Sequence, residues 1–100
     1  MGVELKVISK SPNINTRMES ELVDIMKYAF EKHEGSDYIA EKCQNSFGGS
    51  WIVISQKNGE DSGFEMSFAF KSLKWIKINK RDTHSFSSSS YAYYLFQISE

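Results

Sequence analysis

The fold is decided by the stretch Thr16-Arg-Met-Glu-Ser-Glu-Leu-Val-Asp-Ile-Met-Lys-Tyr-Ala-Phe30, whose apolar residues recur every three or four positions. This spacing predicts a helix of about five turns with a single apolar stripe. The stripe is formed by Met18, Leu22, Ile25, Met26, Ala29 and Phe30. Thr16 and Glu19 fit a capping box at the start of the helix, and Gly35 is predicted to end it in a left-handed conformation. The stripe has to be buried against another element.

On both sides of this helix, apolar residues alternate or cluster in the short runs that are typical of strands. Val3–Ile8 alternates before the helix. After it, Ser36 is predicted to cap a shorter helix that Gly48 and Gly49 close. Further strands are predicted over residues 51–54, 64–70, 73–78 and 91–98. The predicted order β-α-α-β-β-β-β is an α+β fold with two helices packed on an antiparallel sheet.

Two segments between the predicted strands are polar. Lys57–Gly63 contains Asn58-Gly59, which is a strong hairpin signal. Asn79–Ser90 contains a four-serine run and is predicted to be a long inserted hairpin loop, because such a stretch builds no core. The strand Trp51–Ile54 is apolar throughout, which predicts burial on both of its faces.

Composition predicts one soluble globular domain over residues 1–100. The chain is 40% apolar with a net charge of −1, so no global attraction to nucleic acid or to an anionic membrane is expected. The single Cys43 excludes an intrachain disulfide framework and a multi-cysteine metal site. We expect no membrane partner and a cytoplasmic location.

The chemistry-bearing side chains do not form a recognisable catalytic set. His33 and His84 are the only histidines, and Cys43 lies on the apolar stripe of the second predicted helix. A buried cysteine that acts as a small hydrophobe is the favoured interpretation. We expect no enzyme activity, no cofactor and no metal site.

Basic residues surround an aromatic residue on the predicted strand 73–78. Lys71, Lys74, Trp75 and Lys77 suit a sheet that holds single-stranded nucleic acid by stacking and phosphate contacts. This is the alternative function. The competing interpretation is a lysine-rich strand that resists edge-to-edge aggregation, and the near-neutral domain favours it.

The predicted strand 64–70 has an apolar face formed by Phe64, Met66, Phe68 and Phe70. Because that face is too apolar to remain in water, the strand either lies inside the sheet or offers an edge to another chain. Composition does not decide between these two arrangements.

Several segments resemble the eight-kilodalton dynein light chain family, nearest to its axonemal light chain 4 branch. They are Phe47-Gly-Gly-Ser-Trp-Ile-Val-Ile54, Gly63-Phe-Glu-Met-Ser67 and Lys71-Ser-Leu73. Val7-Ile8, Met18, Ala29-Phe-Glu-Lys32 and Ile39-Ala40 match in the same order upstream. The resemblance covers about 85 of the 100 residues, and the predicted element order is that of the family.

The resemblance implies a homodimeric hub subunit of a cytoskeletal dynein motor complex, axonemal in this branch, that is not an enzyme. In the family, strand 64–70 crosses to the partner's sheet, and short linear segments of the dynein intermediate chain or other proteins bind beside it as an added strand. The implied peptide groove is Ser62, Gly63, Phe64, Glu65, Met66, Ser67, Phe68, Leu73 and Trp75. The implied dimer interface is Trp51, Ile52, Val53, Phe64 and Met66.

One single position and two residue pairs depart from the family pattern. Ile52 stands where the family has an interfacial histidine, so a proton-sensitive group is missing here. The charged pair that clamps a peptide glutamine at the start of the second helix is Ser36-Asp37 here, and the family's Thr-His pair is Ser67-Phe68. The resemblance therefore does not imply that the usual glutamine-containing motif binds.

Overall fold

The computed structural model describes residues 2–57, 74–83 and 90–99. In chain order, its elements are β1 (Val3–Lys10), α1 (Thr16–Glu31), α2 (Ser36–Phe47), β2 (Ser50–Lys57), β3 (Lys74–Asp82) and β4 (Ser90–Ser99). The strands form one antiparallel sheet in the order β1-β3-β4-β2. The predicted α+β class with two helices on an antiparallel sheet is therefore confirmed. The predicted strand 64–70 and the Asn58-Gly59 turn lie outside the described residues.

The helices lie across one face of the sheet because they connect its two edges. β1 and β2 are the outermost described strands, so α1 and α2 between them have to span the width of the sheet. The apolar stripe of α1 is buried as predicted, with Leu22, Met26 and Ala29 fully enclosed. The core between the two layers consists of Ile14, Met18, Leu22, Met26, Ala29, Ile39, Cys43, Ile76, Ile78, Tyr93 and Leu95.

The N-terminal cap of α1 differs from the predicted capping box. Asn15 is the cap residue, and its side chain accepts a hydrogen bond from the Met18 amide at 2.8 Å. Thr16 is the first helical residue, and Glu19 instead pairs with Lys10 across to β1 at 2.7 Å. Asparagine and threonine both cap well, so two adjacent candidates make the boundary ambiguous by one residue.

Removing the Asn15 cap is expected to destabilise the protein by about 1 kcal/mol, because Asn15→Ala leaves the Met18 amide without its side-chain acceptor. Thr16→Ala is the matched control, and we expect it to change the free energy of unfolding by less than about 0.5 kcal/mol. Urea denaturation of both variants measures the difference. A larger loss for Thr16→Ala would show that the cap is assigned to the wrong residue.

His33, and not Gly35, takes the left-handed conformation that ends α1. Its φ is 58°, and the hydrogen bonds from Glu34 N to Ala29 O and from His33 N to Phe30 O complete a Schellman motif. Gly35 has φ −111° and serves as the N-cap residue of α2, where no side-chain cap forms. The predicted capping role of Ser36 is therefore wrong, since Ser36 is the first residue of α2. Gly48 and Gly49 close α2 with positive φ, as predicted.

The loop predicted over Asn79–Ser90 is shorter than expected. Asn79 to Asp82 continue β3, and Ser90 already belongs to β4. Lys80 is tolerated on the helix side because its ammonium lies over the rings of Phe30 and Tyr91, at 4.3 and 5.6 Å from their centroids. Residues 84–89 lie outside the described part of the chain.

Candidate functional site

The sheet has a second face, on the side opposite the helices. Tyr93 and Leu95 point into the core, so their neighbours in β4 point the other way. The strand registers place Ile54 beside Tyr94, and both Ile52 and Trp75 beside Phe96. We call this surface the second face. Its apolar residues are Ile52, Ile54, Trp75, Tyr94, Phe96 and Ile98.

The second face is apolar and is partly open to solvent. Ile52 and Ile98 are each 42% exposed, whereas Phe96 is only 6% exposed. The rings of Tyr94 and Phe96 stack at 6.4 Å with an angle of 7° between their planes. Among the large apolar residues of the second face, only Ile52 and Ile98 are therefore exposed.

Trp75 is held on the second face by its main chain. The Trp75 amide donates to Ser11 Oγ at 3.0 Å, and the Ser11 amide donates to the Trp75 carbonyl at 2.9 Å. Ser11 is itself 3% exposed. This reciprocal pair extends the β1–β3 ladder by one step and fixes the position from which the tryptophan ring projects.

The junction between α2 and β2 is fixed by hydrogen bonds to one carbonyl. Trp51 Nε1 and Gln97 Nε2 donate to the Gly48 carbonyl at 2.9 and 3.0 Å. The ring of Trp51 also lies 5.7 Å from that of Phe47. Trp51 therefore faces the helices, and the register of β2 begins from a defined point.

β2 forms one edge of the described sheet, where it pairs with β4 alone among the described strands. Its side chains alternate between the two faces: Trp51 and Val53 pack against the core, and Ile52 lies on the second face. The sequence predicts burial of Trp51–Ile54 on both faces, but Ile52 is exposed in the single chain, so for the single chain this prediction is wrong. Apolar composition alone does not distinguish an inner strand from an edge strand that a further chain covers.

The structure separates the predicted site residues into three groups. Trp75 and Ile52 share the second face. Trp51 and Val53 belong to β2, as Ile52 does, but they face the core. The remaining predicted residues, Ser62, Gly63, Phe64, Glu65, Met66, Ser67, Phe68 and Leu73, lie outside the described residues. Sequence reasoning missed Ile54, Tyr94, Phe96 and Ile98, although the alternation along β2 and β4 contains the signal that identifies them.

The predicted basic cluster is divided between the faces. Trp75 and Lys77 lie on the second face, where Lys77 Nζ lies 5.4 Å from the centroid of the Tyr94 ring. Lys74 is paired with Gln97, whose amide bonds to the α2 terminus, so Lys74 occupies a position on the helix side. Lys71 lies outside the described residues. Of the three described members, Trp75 and Lys77 are two positions apart and share one face. Lys74 is an odd number of positions from both and lies on the other face.

Cys43 is fully buried in the core, and burial raises the pKa of its thiol to about 12. Because the thiolate is the reactive form, this environment makes Cys43 a poor nucleophile at neutral pH. The interpretation of Cys43 as a small hydrophobe therefore agrees with its position.

A thiol reagent is expected to react with Cys43 only when the protein unfolds. At pH 8, a thiol with a pKa of about 12 is almost wholly protonated, so its reaction rate should fall at least about a thousandfold below that of the unfolded chain. The sign follows from the raised pKa, since the thiolate fraction rises only as the pH approaches 12. Ellman's reagent with and without denaturant measures both rates. Comparable rates would contradict the buried position.

Within residues 2–57, 74–83 and 90–99, no group of three or more histidine, cysteine or acidic residues is placed to hold a metal ion. No helix in that part of the chain is long and apolar enough to cross a membrane.

Compared with known proteins, the chain matches no family model, no curated protein and no solved structure.

Proposed function

We propose that this protein is a non-enzymatic, dimeric light-chain or hub subunit of a cytoskeletal dynein motor complex. It binds short linear segments of partner proteins, such as the dynein intermediate chain, as an added β-strand. The segments that resemble the dynein light chains motivate the proposal. The observation that carries it is the strand order β1-β3-β4-β2, with β2 at the edge of the described sheet beside an apolar face.

The positions of the ends of β2 and β3 are compatible with strand exchange. β2 and β3 both run antiparallel to β4, so they are parallel to each other. Lys57 lies level with Tyr91 at one end of β4, and Lys74 lies level with Gln97 at the other end. Lys57 and Lys74 are therefore about 20 Å apart along the direction of the strands.

A strand that ran from the Lys57 end to the Lys74 end would be antiparallel to β2, as a neighbour at the β2 edge would be in the same chain or in a second copy. Extended residues span up to about 3.5 Å each, so residues 58–73 have more than twice the length needed to connect β2 to β3. The connection is therefore long enough to include a strand over 64–70 beside a β2 edge, and we propose that this edge belongs to a second copy. In the proposed dimer, each copy donates this strand to the other.

The second face gives the proposed dimer an apolar surface to bury. Ile52 and Ile98 are exposed in the single chain, and they adjoin the edge at which the donated strand would pair. The alternating face of Phe64, Met66, Phe68 and Phe70 is chemically complementary to these residues. Burial of both sets against each other would stabilise the dimer through the hydrophobic effect.

The peptide would bind along the free edge of the donated strand, at Ser62 to Phe68. Main-chain hydrogen bonds supply affinity in this mode, and pockets for alternate side chains supply specificity. Asp37 is exposed in the first turn of α2, so the altered clamp presents an acidic group and lacks its cationic partner. We therefore propose a peptide motif that differs from the family's glutamine-containing one.

The nucleic-acid alternative has weaker support. Of its described residues, Trp75 and Lys77 share a face, whereas Lys74 lies on the other side of the strand. A single-strand platform needs several cations beside its stacking rings. The salt dependence of binding to a single-stranded oligonucleotide remains a direct check of this alternative.

The proposed function is tested by molar mass and by a peptide titration. Light scattering should give about 23 kDa, twice the 11.5 kDa of one chain. Dynein intermediate-chain peptides should then shift the amide resonances of residues 62–68 in an NMR titration. A monomer in which these amides are paired within one chain would contradict the proposal.

A further inference from the structure

β1 forms the edge of the described sheet that is opposite to β2. Among the described strands it pairs with β3 alone, so its outer main-chain groups face away from the sheet. The pairing with β3 is regular over Val3–Val7, and a bulge follows Val7. Within this segment Lys6 is exposed, whereas Leu5 packs against the core. We call Val3–Val7 the β1 edge.

Three basic side chains lie beside the β1 edge on the second face. Lys6 pairs with Asn79 of β3, and Lys77 and Arg81 lie two positions to either side of Asn79 on the same face. Lys6 is therefore a diagonal neighbour of both, at about 7 Å. The one acidic residue that β1 and β3 place on this face is Glu4, opposite Arg81. We call Lys6, Lys77 and Arg81 the cationic patch.

The cationic patch is not neutralised within the part of the chain that the structure describes. None of its three members takes part in an ion pair with another described residue. Lys6 and Arg81 are exposed, and Lys77 Nζ lies 5.4 Å from the centroid of the Tyr94 ring. Like charges at neighbouring positions of a sheet repel one another. The cationic patch therefore favours an anionic partner.

We propose that the β1 edge binds an acidic, extended segment of a partner protein as an added strand. The main-chain groups of the edge would supply hydrogen bonds, and acidic side chains at alternate positions would lie on the same face as the cationic patch. An added strand lies about 4.8 Å from β1, so a glutamate on that face would be within reach of the Lys6 ammonium group. The β1 edge is on the side opposite to β2, and the inference does not depend on the proposed dynein function.

The strand edge favours an acidic segment over nucleic acid and over a second copy. Nucleic acid has no peptide main chain to pair with a strand, and Phe96 is only 6% exposed, so its ring offers little surface for base stacking. A second copy would bring its own lysine to the edge, and lysines and bulges on edge strands hinder pairing between identical chains. An acidic segment matches both the main-chain groups and the charge.

The probe for this proposal is a synthetic nine-residue peptide in which glutamate alternates with threonine. Two peptides serve as controls: one has lysine in place of glutamate, and one is N-methylated at every residue and donates no main-chain hydrogen bonds. Titration into the full-length protein should shift the amide resonances of residues 3–7 and 77–81 and slow the hydrogen exchange of residues 3–7. Both control peptides should bind at least tenfold more weakly.

Protein variants locate the binding surface. Lys6→Glu and Arg81→Glu should each weaken binding of the glutamate–threonine peptide at least tenfold, whereas Lys6→Arg retains the charge and should change it less than threefold. Lys42→Glu makes the same charge change at an exposed position of α2 and should also change binding less than threefold. When Lys6→Glu and Arg81→Glu are combined, the lysine–threonine peptide should bind more tightly than the glutamate–threonine peptide. Circular dichroism of each variant checks that the fold is retained.

Several results would overturn the proposal. They are equal binding of the lysine or the N-methylated peptide, resonance shifts confined to the helices, or unchanged affinity in Lys6→Glu. An oligothymidylate of nine nucleotides tests nucleic acid as the occupant, and tighter binding than that of the glutamate–threonine peptide at the same salt concentration would contradict the proposal. Molar mass without peptide tests a second copy. If Lys6→Glu alone lowers the mass from dimer to monomer, the β1 edge is a contact between copies and the proposal fails.

Discussion

Replacing Ile52 with aspartate is expected to convert the proposed dimer into a folded monomer. Ile52 is 42% exposed in the single chain and lies on the second face, in the edge strand β2. A charge at this position remains hydrated in the monomer but would be buried without a partner in the dimer. Burial of an unpaired carboxylate costs several kcal/mol, so the dimer dissociation constant should rise at least about a hundredfold.

Ile8→Asp is the matched control for this substitution. Ile8 has the same 42% exposure, but it belongs to β1 at the opposite edge of the described sheet. Light scattering should give about 23 kDa for Ile8→Asp and 11.5 kDa for Ile52→Asp. A dimeric Ile52→Asp variant would place the contact elsewhere on the molecule. Dissociation of both variants would contradict a contact restricted to the β2 edge.

The second large effect is expected in the core. Ile78 is completely buried in β3, where it pairs with Val7 on one side and Tyr93 on the other. Ile78→Ala removes buried methyl groups and leaves a cavity, so we expect a loss of about 3 kcal/mol in the free energy of unfolding. Ile8→Ala, at a half-exposed position, should cost less than about 1 kcal/mol.

Urea unfolding at one fixed protein concentration measures both variants, because dimerisation makes apparent stability depend on concentration. Equal losses for Ile78→Ala and Ile8→Ala would contradict the assignment of Ile78 to the core. A change in the slope of the transition would indicate that the compactness of a state had changed as well.

The sequence predicts the layers of the fold well because hydrophobic periodicity reports burial directly. Of the six residues in the predicted stripe of α1, Met18, Leu22, Met26 and Ala29 are buried. Ile25 and Phe30 are partly buried against the core. Cys43 and Ile39, at the spacing of one helical turn in α2, are likewise buried. In both helices, the single apolar face packs against the core.

Element boundaries were less predictable because several residues have similar propensities. Asn15 and Thr16 both suit a helix cap, and only the hydrogen bond to the Met18 amide distinguishes them. Gly35 tolerates a left-handed conformation better than His33 does, yet His33 adopts it and completes the Schellman motif. At the end of β3, the rings of Phe30 and Tyr91 hold Lys80 in the strand, a contact between residues distant in sequence.

The candidate site could be predicted only in part, because it also depends on contacts between residues that are distant in sequence. The family resemblance implied roles for Ile52 and Trp75, but their common face depends on the registers of β2 and β3 against β4. Registers are set by long-range pairing, which no local pattern contains. The same registers show that Lys74 and Lys77 lie on opposite sides, which weakens the nucleic-acid interpretation.

Pairing of residues 64–70 of one copy with β2 of another can be detected by an isotope-filtered NMR experiment. Isotope-labelled and unlabelled protein are mixed, unfolded and refolded together, so that half of the dimers contain one copy of each. We expect intermolecular contacts between residues 64–70 of one copy and Trp51–Ser55 of the other. If uniformly labelled protein shows these contacts but the mixed sample shows none between copies, strand exchange is excluded, and the dimeric light-chain function with it.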